Sequence, residues 1–123
     1  MADLPKIRPV EIIVLDAARL SPDAMRPGRR LGAADVCAAV HRRLRHATEA
    51  WCDADFARLG RTATSLAALA ERAGLESVRA IACDLSDASE GGDPVATAAI
   101  LARLVRVGEA TLSAVEAAGH LRL

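Results

Sequence analysis

The chain has 123 residues, enough for one domain and too few for two comfortable cores. Its 16 basic and 16 acidic side chains cancel, which excludes a nucleic-acid binder relying on a basic field and leaves any electrostatic steering to local patches. Apolar residues make up 52%, yet there is one Phe, one Trp and no Tyr, so the mixture of Ala, Leu, Val and Arg favours helices over a sheet.

The first 34 residues differ from the rest. "PVEIIVLDAARL" opens on a β-prone run, and "SPDAMRPGRRLG" is rich in breakers. Residues 9–15 read as a short strand or extended arm, with a short helix within 11–20 as the rival, followed by a loop around Pro22 and Pro27–Gly28. Such a greasy arm is expected to pack on the rest of the chain or on a second subunit. The longest strongly apolar run, Ile12 to Leu15, is far short of the ~20 residues of a membrane span. The segment "MADLPKIRP" lacks the apolar core of a signal peptide, so a cytoplasmic location is expected.

A first helix is predicted from about Ala33 or Ala34 to Trp51, with Val36, Val40, Leu44, Ala47 and Trp51 as its inward stripe. His41, Arg42, Arg45 and Glu49 lie off that stripe. "DAD" at 53–55 breaks the pattern, and either aspartate can cap the second helix. That helix is predicted over 54–73, with Phe56, Leu59, Ala63, Leu66 and Ala70 on one face and Gly74 as its left-handed stop. The third is predicted over 75–89, with Val78, Ile81, Ala82 and Leu85 inward and "EGGD" ending it. Asp93 and Pro94 suit the N-cap and first turn of a fourth helix, 94–118. Leu101, Val105, Leu112 and Val115 are expected inward there. Leu104 and Val107 are expected to point elsewhere, suggesting a second contact surface. Connections this short force antiparallel neighbours. The expected architecture is all-α: an up-down four-helix bundle over 35–123 with an N-terminal arm over 1–34.

Cys37, Cys52 and Cys83 are odd in number and form no CxxC pair, which fits free thiols rather than a disulfide framework or zinc site. No phosphate loop, nucleophile–base pair or metal-spaced carboxylate cluster stands out, and no cofactor is expected.

The order of features from the second helix onward, "ADFARLGRTATSLAALAERAGLESVRAIACDLSDASEGGD", resembles the histidine-containing phosphotransfer (HPt) family. Members carry a helix of the type A-H-S-L-K-G, a glycine ten residues after the histidine, a further helix of the type L-x-x-x-x-x-L-E, a Gly-Asp turn and a long last helix. The family's short Gly-Asp turn before the histidine helix resembles "CDADFARL". Here "ATSLAA" occupies Ala63 to Ala68 and Gly74 follows at the matching distance, with the likeness extending over about residues 35–118. Thr64 stands where the resemblance puts the phosphoacceptor imidazole. Ala67 stands where it puts the lysine that balances phosphoryl charge, and Ala68 at the family's small glycine. Helix geometry turns residue 64 about 100° from Ala63 and about 200° from Leu66, towards water. A threonine hydroxyl is a poor nucleophile without a base, and its phosphate ester would not return readily to an aspartate. The resemblance therefore implies a degenerate member that binds without transferring phosphate.

The expected docking strip is Arg61, Thr64, Ser65, Ala68, Glu71 and Arg72. Arg42 and Arg45 are expected to add basic contacts beside it, with Arg43 and Arg29–Arg30 nearby. The expected partners are a receiver domain of a response regulator or a histidine kinase in two-component signalling, with a homodimer through the arm or the last helix also open. No nucleic-acid or membrane partner is expected. Two rivals stand beside this reading: an active relay protein using His46 or His41, and an unrelated helical dimerisation module. Glu49, three residues after His46, has the wrong sign for a phosphate companion, and His120 falls in the expected frayed tail.

Overall fold

The computed structural model describes residues 32–121, with side chains through 118. The strand-or-helix question at 9–15 and the pair Arg29–Arg30 fall outside the described residues. Four helices follow in order: α1 (Ala33–Cys52), α2 (Phe56–Ala73), α3 (Glu76–Gly91) and α4 (Pro94–Leu121). Each packs on its neighbour in sequence, and α1 also packs on α4, closing a ring of four. This is the all-α four-helix bundle expected from the patterning.

The helix ends follow from side-chain and backbone chemistry. Asp55 accepts a bond from the Arg58 backbone N–H at 3.0 Å and caps α2. Gly74, at φ 75°, ends α2, with the Leu75 N–H bonded to the Ala70 carbonyl at 2.8 Å. That six-to-one bond is the Schellman stop. The same bond closes α1, from Asp55 N–H to the Ala50 carbonyl at 2.9 Å, but there the left-handed residue is Ala54, at φ 54°. An L-residue with a β-carbon is disfavoured in that conformation. Asp93 caps α4 by accepting from Val95 and Ala96 backbone N–H groups, both at 3.1 Å.

The core is aliphatic. Val36, Val40, Leu44 and Ala47 of α1, Leu59, Ala63 and Leu66 of α2, and Val78, Ala82 and Leu85 of α3 are buried as the spacing predicts. Each large side chain so buried contributes about 1.5–3 kcal/mol. Trp51 and Phe56 are half-buried and meet edge to face, ring centres 5.8 Å apart, where α1 turns into α2.

Two expectations for α4 are corrected. Leu104 and Val107 lie in the core, whereas Val105 is only half-buried. α4 packs against both α1 and α3, and Leu104 and Val107 fall within that buried arc. Leu101, Leu104, Val107, Leu112 and Val115 of α4 are all buried inside the bundle. Val95 is the one large apolar side chain exposed among the described residues, so the second contact surface inferred from Leu104 and Val107 loses its basis. The helix also continues through Leu121, three residues past the expected end, and takes His120 into its backbone. Close contact between α4 and α1 depends on Gly108, where an added β-carbon would sit 2.8 Å from a Leu44 methyl.

Candidate functional site

Burying Leu59, Ala63, Leu66 and Ala70 turns the opposite side of α2 outward. Arg61, Thr64, Ser65, Ala68, Glu71 and Arg72 are all exposed there and form one continuous strip. Ala67 does not belong to it: this residue is half-buried and packs against the core. Arg42 and Arg45 are exposed on α1, and Arg45 reaches Glu49 one turn along at 3.8 Å.

Thr64 borders an open groove of about 650 Å³ between α2 and α3, whose walls include Gly60, Arg61, Ser86, Ser89 and Glu90. The Thr64 hydroxyl donates to the Gly60 carbonyl at 3.0 Å and lies 3.1 Å from the Ser86 hydroxyl. A hydroxyl has one proton, so with Thr64 donating to Gly60 the proton between the two side chains comes from Ser86. Among the described residues, no His or carboxylate is hydrogen-bonded to Thr64. A hydroxyl with no base bonded to it is a weak nucleophile. Phe56 and Ala57 complete the lining of this groove, so the two hydroxyls sit beside an apolar end and the charged Arg61 and Glu90.

The spacing of α2 and α3 at this groove is set by Gly60, one turn before Thr64. A β-carbon on Gly60 would sit 2.8 Å from Ser89 Oγ, and Ser89 is itself buried with its hydroxyl donating to the Ser86 carbonyl at 2.8 Å. Gly60, Ser86 and Ser89 carry no motif that marks them in the linear sequence. A glycine inside a helix costs about 1 kcal/mol relative to alanine, and that cost was the available signal of a close approach.

A second groove, about 480 Å³, runs between α1 and α2 on the other side of Arg61. Arg42, Arg43, His46, Arg61, Thr62 and Ser65 line it. The half-buried Arg43 donates from Nε to Ser65 Oγ at 2.9 Å, tying the two helices together. His41 lies away from both grooves, on the α1–α4 side with Glu109 and Glu116. Cys37 shares that side, and burial first, then the Glu116 carboxylate, pushes its thiol above the ordinary range. Among the described residues no group of three His, Cys, Asp or Glu side chains is placed to hold a metal. No described helix is long and apolar enough to cross a membrane.

No family model, no curated protein and no solved structure matches this chain.

Proposed function

We propose that this protein is an HPt-like docking module that binds a receiver domain of two-component signalling without carrying phosphate itself. A histidine kinase is the alternative partner on the same strip. The reading rests on the sequence resemblance, and the observation that supports it best is the state of Thr64. It is exposed at the middle of the α2 strip, flanked by the small Ser65 and Ala68, and its hydroxyl is engaged by Gly60 and Ser86, with no base hydrogen-bonded to it among the described residues. The small side chains at the middle of the strip, Thr64, Ser65 and Ala68, let a partner's surface approach the helix closely there. Arg61 and the neighbouring arginines of α1 offer positive charge to the acidic rim of an aspartate pocket.

The test is a panel of receiver domains from the same cell, measured for binding and for transfer from radiolabelled phosphoreceiver. At least one receiver should bind, Ala68→Arg should abolish that binding by blocking the strip, and no acid-labile label should reach the chain. Absence of binding across the panel, or binding indifferent to Ala68→Arg, would overturn the proposal.

One observation favours a second reading, the active relay protein. His46 lines the α1–α2 groove beside Arg42, Arg43 and Arg61, while Glu49, adverse in the linear sequence, is drawn off to Arg45 and Arg58. Acid-labile label retained by wild type and lost in His46→Ala would establish it.

A further inference from the structure

The α1–α2 groove carries charge that the rest of the described structure leaves unbalanced. The chain as a whole is neutral. Near the start of α2, basic groups are matched: Arg58 pairs with Glu49 at 3.4 Å and Asp53 at 3.6 Å, and Arg45 pairs with Glu49. In the groove no such matching occurs. Among the described residues, no carboxylate lies within ion-pair distance of Arg42, Arg43 or Arg61.

Arg43 is also held in place. It is half-buried, and its guanidinium is anchored through Nε to Ser65 Oγ at 2.9 Å and through one terminal nitrogen to the Ala39 carbonyl at 3.3 Å. A guanidinium has five N–H donors, so those not engaged by these two acceptors remain for a ligand. Fixing the side chain in advance removes much of the entropy that a free surface arginine loses on binding. Thr62 and Ser65 add hydroxyls, and no large apolar side chain contributes to the lining. A groove of about 480 Å³ is in the size range of small-ligand sites, and three of its six lining side chains are arginines.

We propose that this groove binds a di- or triphosphate group, with whatever the chain of phosphates carries projecting into solvent. Three guanidiniums spread over two helices match several phosphates in a row better than one compact anion, and Arg–phosphate bonds are charge-assisted and among the strong ones. The inference does not rest on receiver docking, since it concerns a free oxyanion, but the groove shares Arg61 and Ser65 with the α2 strip.

Calorimetric titration at constant ionic strength tests it, with tripolyphosphate, ATP and sulfate as probes. Tripolyphosphate and ATP should bind one per chain, and sulfate far more weakly. Equal affinity of the first two assigns recognition to the phosphates alone, whereas tighter ATP binding assigns the natural source to a nucleotide. The double variant Arg42→Gln/Arg61→Gln should weaken tripolyphosphate binding about tenfold or more. Arg45→Gln, which removes the same charge from a paired arginine outside the groove, should change it by less than about twofold. Binding should also shift the Arg43 Nε–H resonance in NMR spectra. The proposal is overturned by no measurable binding, by sulfate binding as tightly as tripolyphosphate, or by Arg45→Gln costing as much as the groove variants. All these side chains lie at the surface, so the variants should retain the wild-type circular dichroism spectrum.

Discussion

Gly60 and Ser89 form a contact whose energy can be worked from distances. Replacing Gly60 by alanine in an ordinary exposed helix would stabilise by about 1 kcal/mol. Here the new methyl would meet Ser89 Oγ at 2.8 Å, closer than real β-carbons approach. Overpacking of this kind costs about 1–3 kcal/mol, so Gly60→Ala alone should range from neutral to about 2 kcal/mol destabilised. The clash is confined to one atom, since the next nearest, Ser89 Cβ, lies at 4.0 Å, an ordinary contact. In a Ser89→Ala background the obstacle is gone, and Gly60→Ala should then deliver its full helical gain of about 1 kcal/mol. The two substitutions should thus couple by roughly 1–3 kcal/mol in a double-mutant cycle. Urea denaturation of the four proteins measures this, with Tm shifts of about 4 °C per kcal/mol as a check. If Gly60→Ala stabilised equally in both backgrounds, the α2–α3 spacing that frames Thr64 would not be set by this contact, and that part of the account would be wrong.

Other consequences follow from single residues. Thr111 is buried in α4 and its hydroxyl has no hydrogen-bond partner, so the near-isosteric Thr111→Val should stabilise by about 1 kcal/mol in the same denaturation assay. Ala54 holds the left-handed stop of α1 at φ 54°, and Ala54→Gly should add about 0.5–1 kcal/mol by relieving that conformation, net of its unfolded-state cost. The raised Cys37 thiol should alkylate more slowly in the native protein than in urea at the same pH, and Glu116→Gln should speed the native reaction by removing the repelling carboxylate. The sign of its linkage is fixed: a thiol raised on folding contributes stability that is full below its unfolded value and is lost as pH climbs through the raised folded value. The loss should appear as falling urea midpoints on the alkaline side.

Punctuation was the most legible layer of the sequence. Asp55, Gly74, Asp93 and Pro94 each act on the backbone within a turn of themselves, so the helix ends could be placed within a few residues. The second helix begins at Phe56, two residues after the expected start, because Ala54, a good helix former, serves instead as a left-handed stop. Stripes were readable in α1 to α3, where charged residues interrupt the apolar ones. In α4 the run "AAILARLVRVGEATL" gives the 3.6-residue period little contrast, so the pattern does not separate Val105 from the buried Leu104 and Val107. The exposed face of α2 followed from its own register. What lay beyond reach was pairing between helices: Thr64 with Ser86, Gly60 with Ser89 and Arg43 with Ser65 join residues about twenty or more positions apart, and no local pattern encodes them.

The central claim is that the outward strip of α2 binds a receiver and does not accept phosphate. It is tested most directly by titrating the isotopically labelled chain with a phosphorylated receiver domain that it binds, and recording backbone NMR shifts and phosphate content together. The account predicts saturable shifts centred on Arg61, Thr64, Ser65 and Ala68, with no phosphorus bound to the chain. Shifts confined to other faces of the bundle, or a phosphoryl group appearing on any residue, would contradict it.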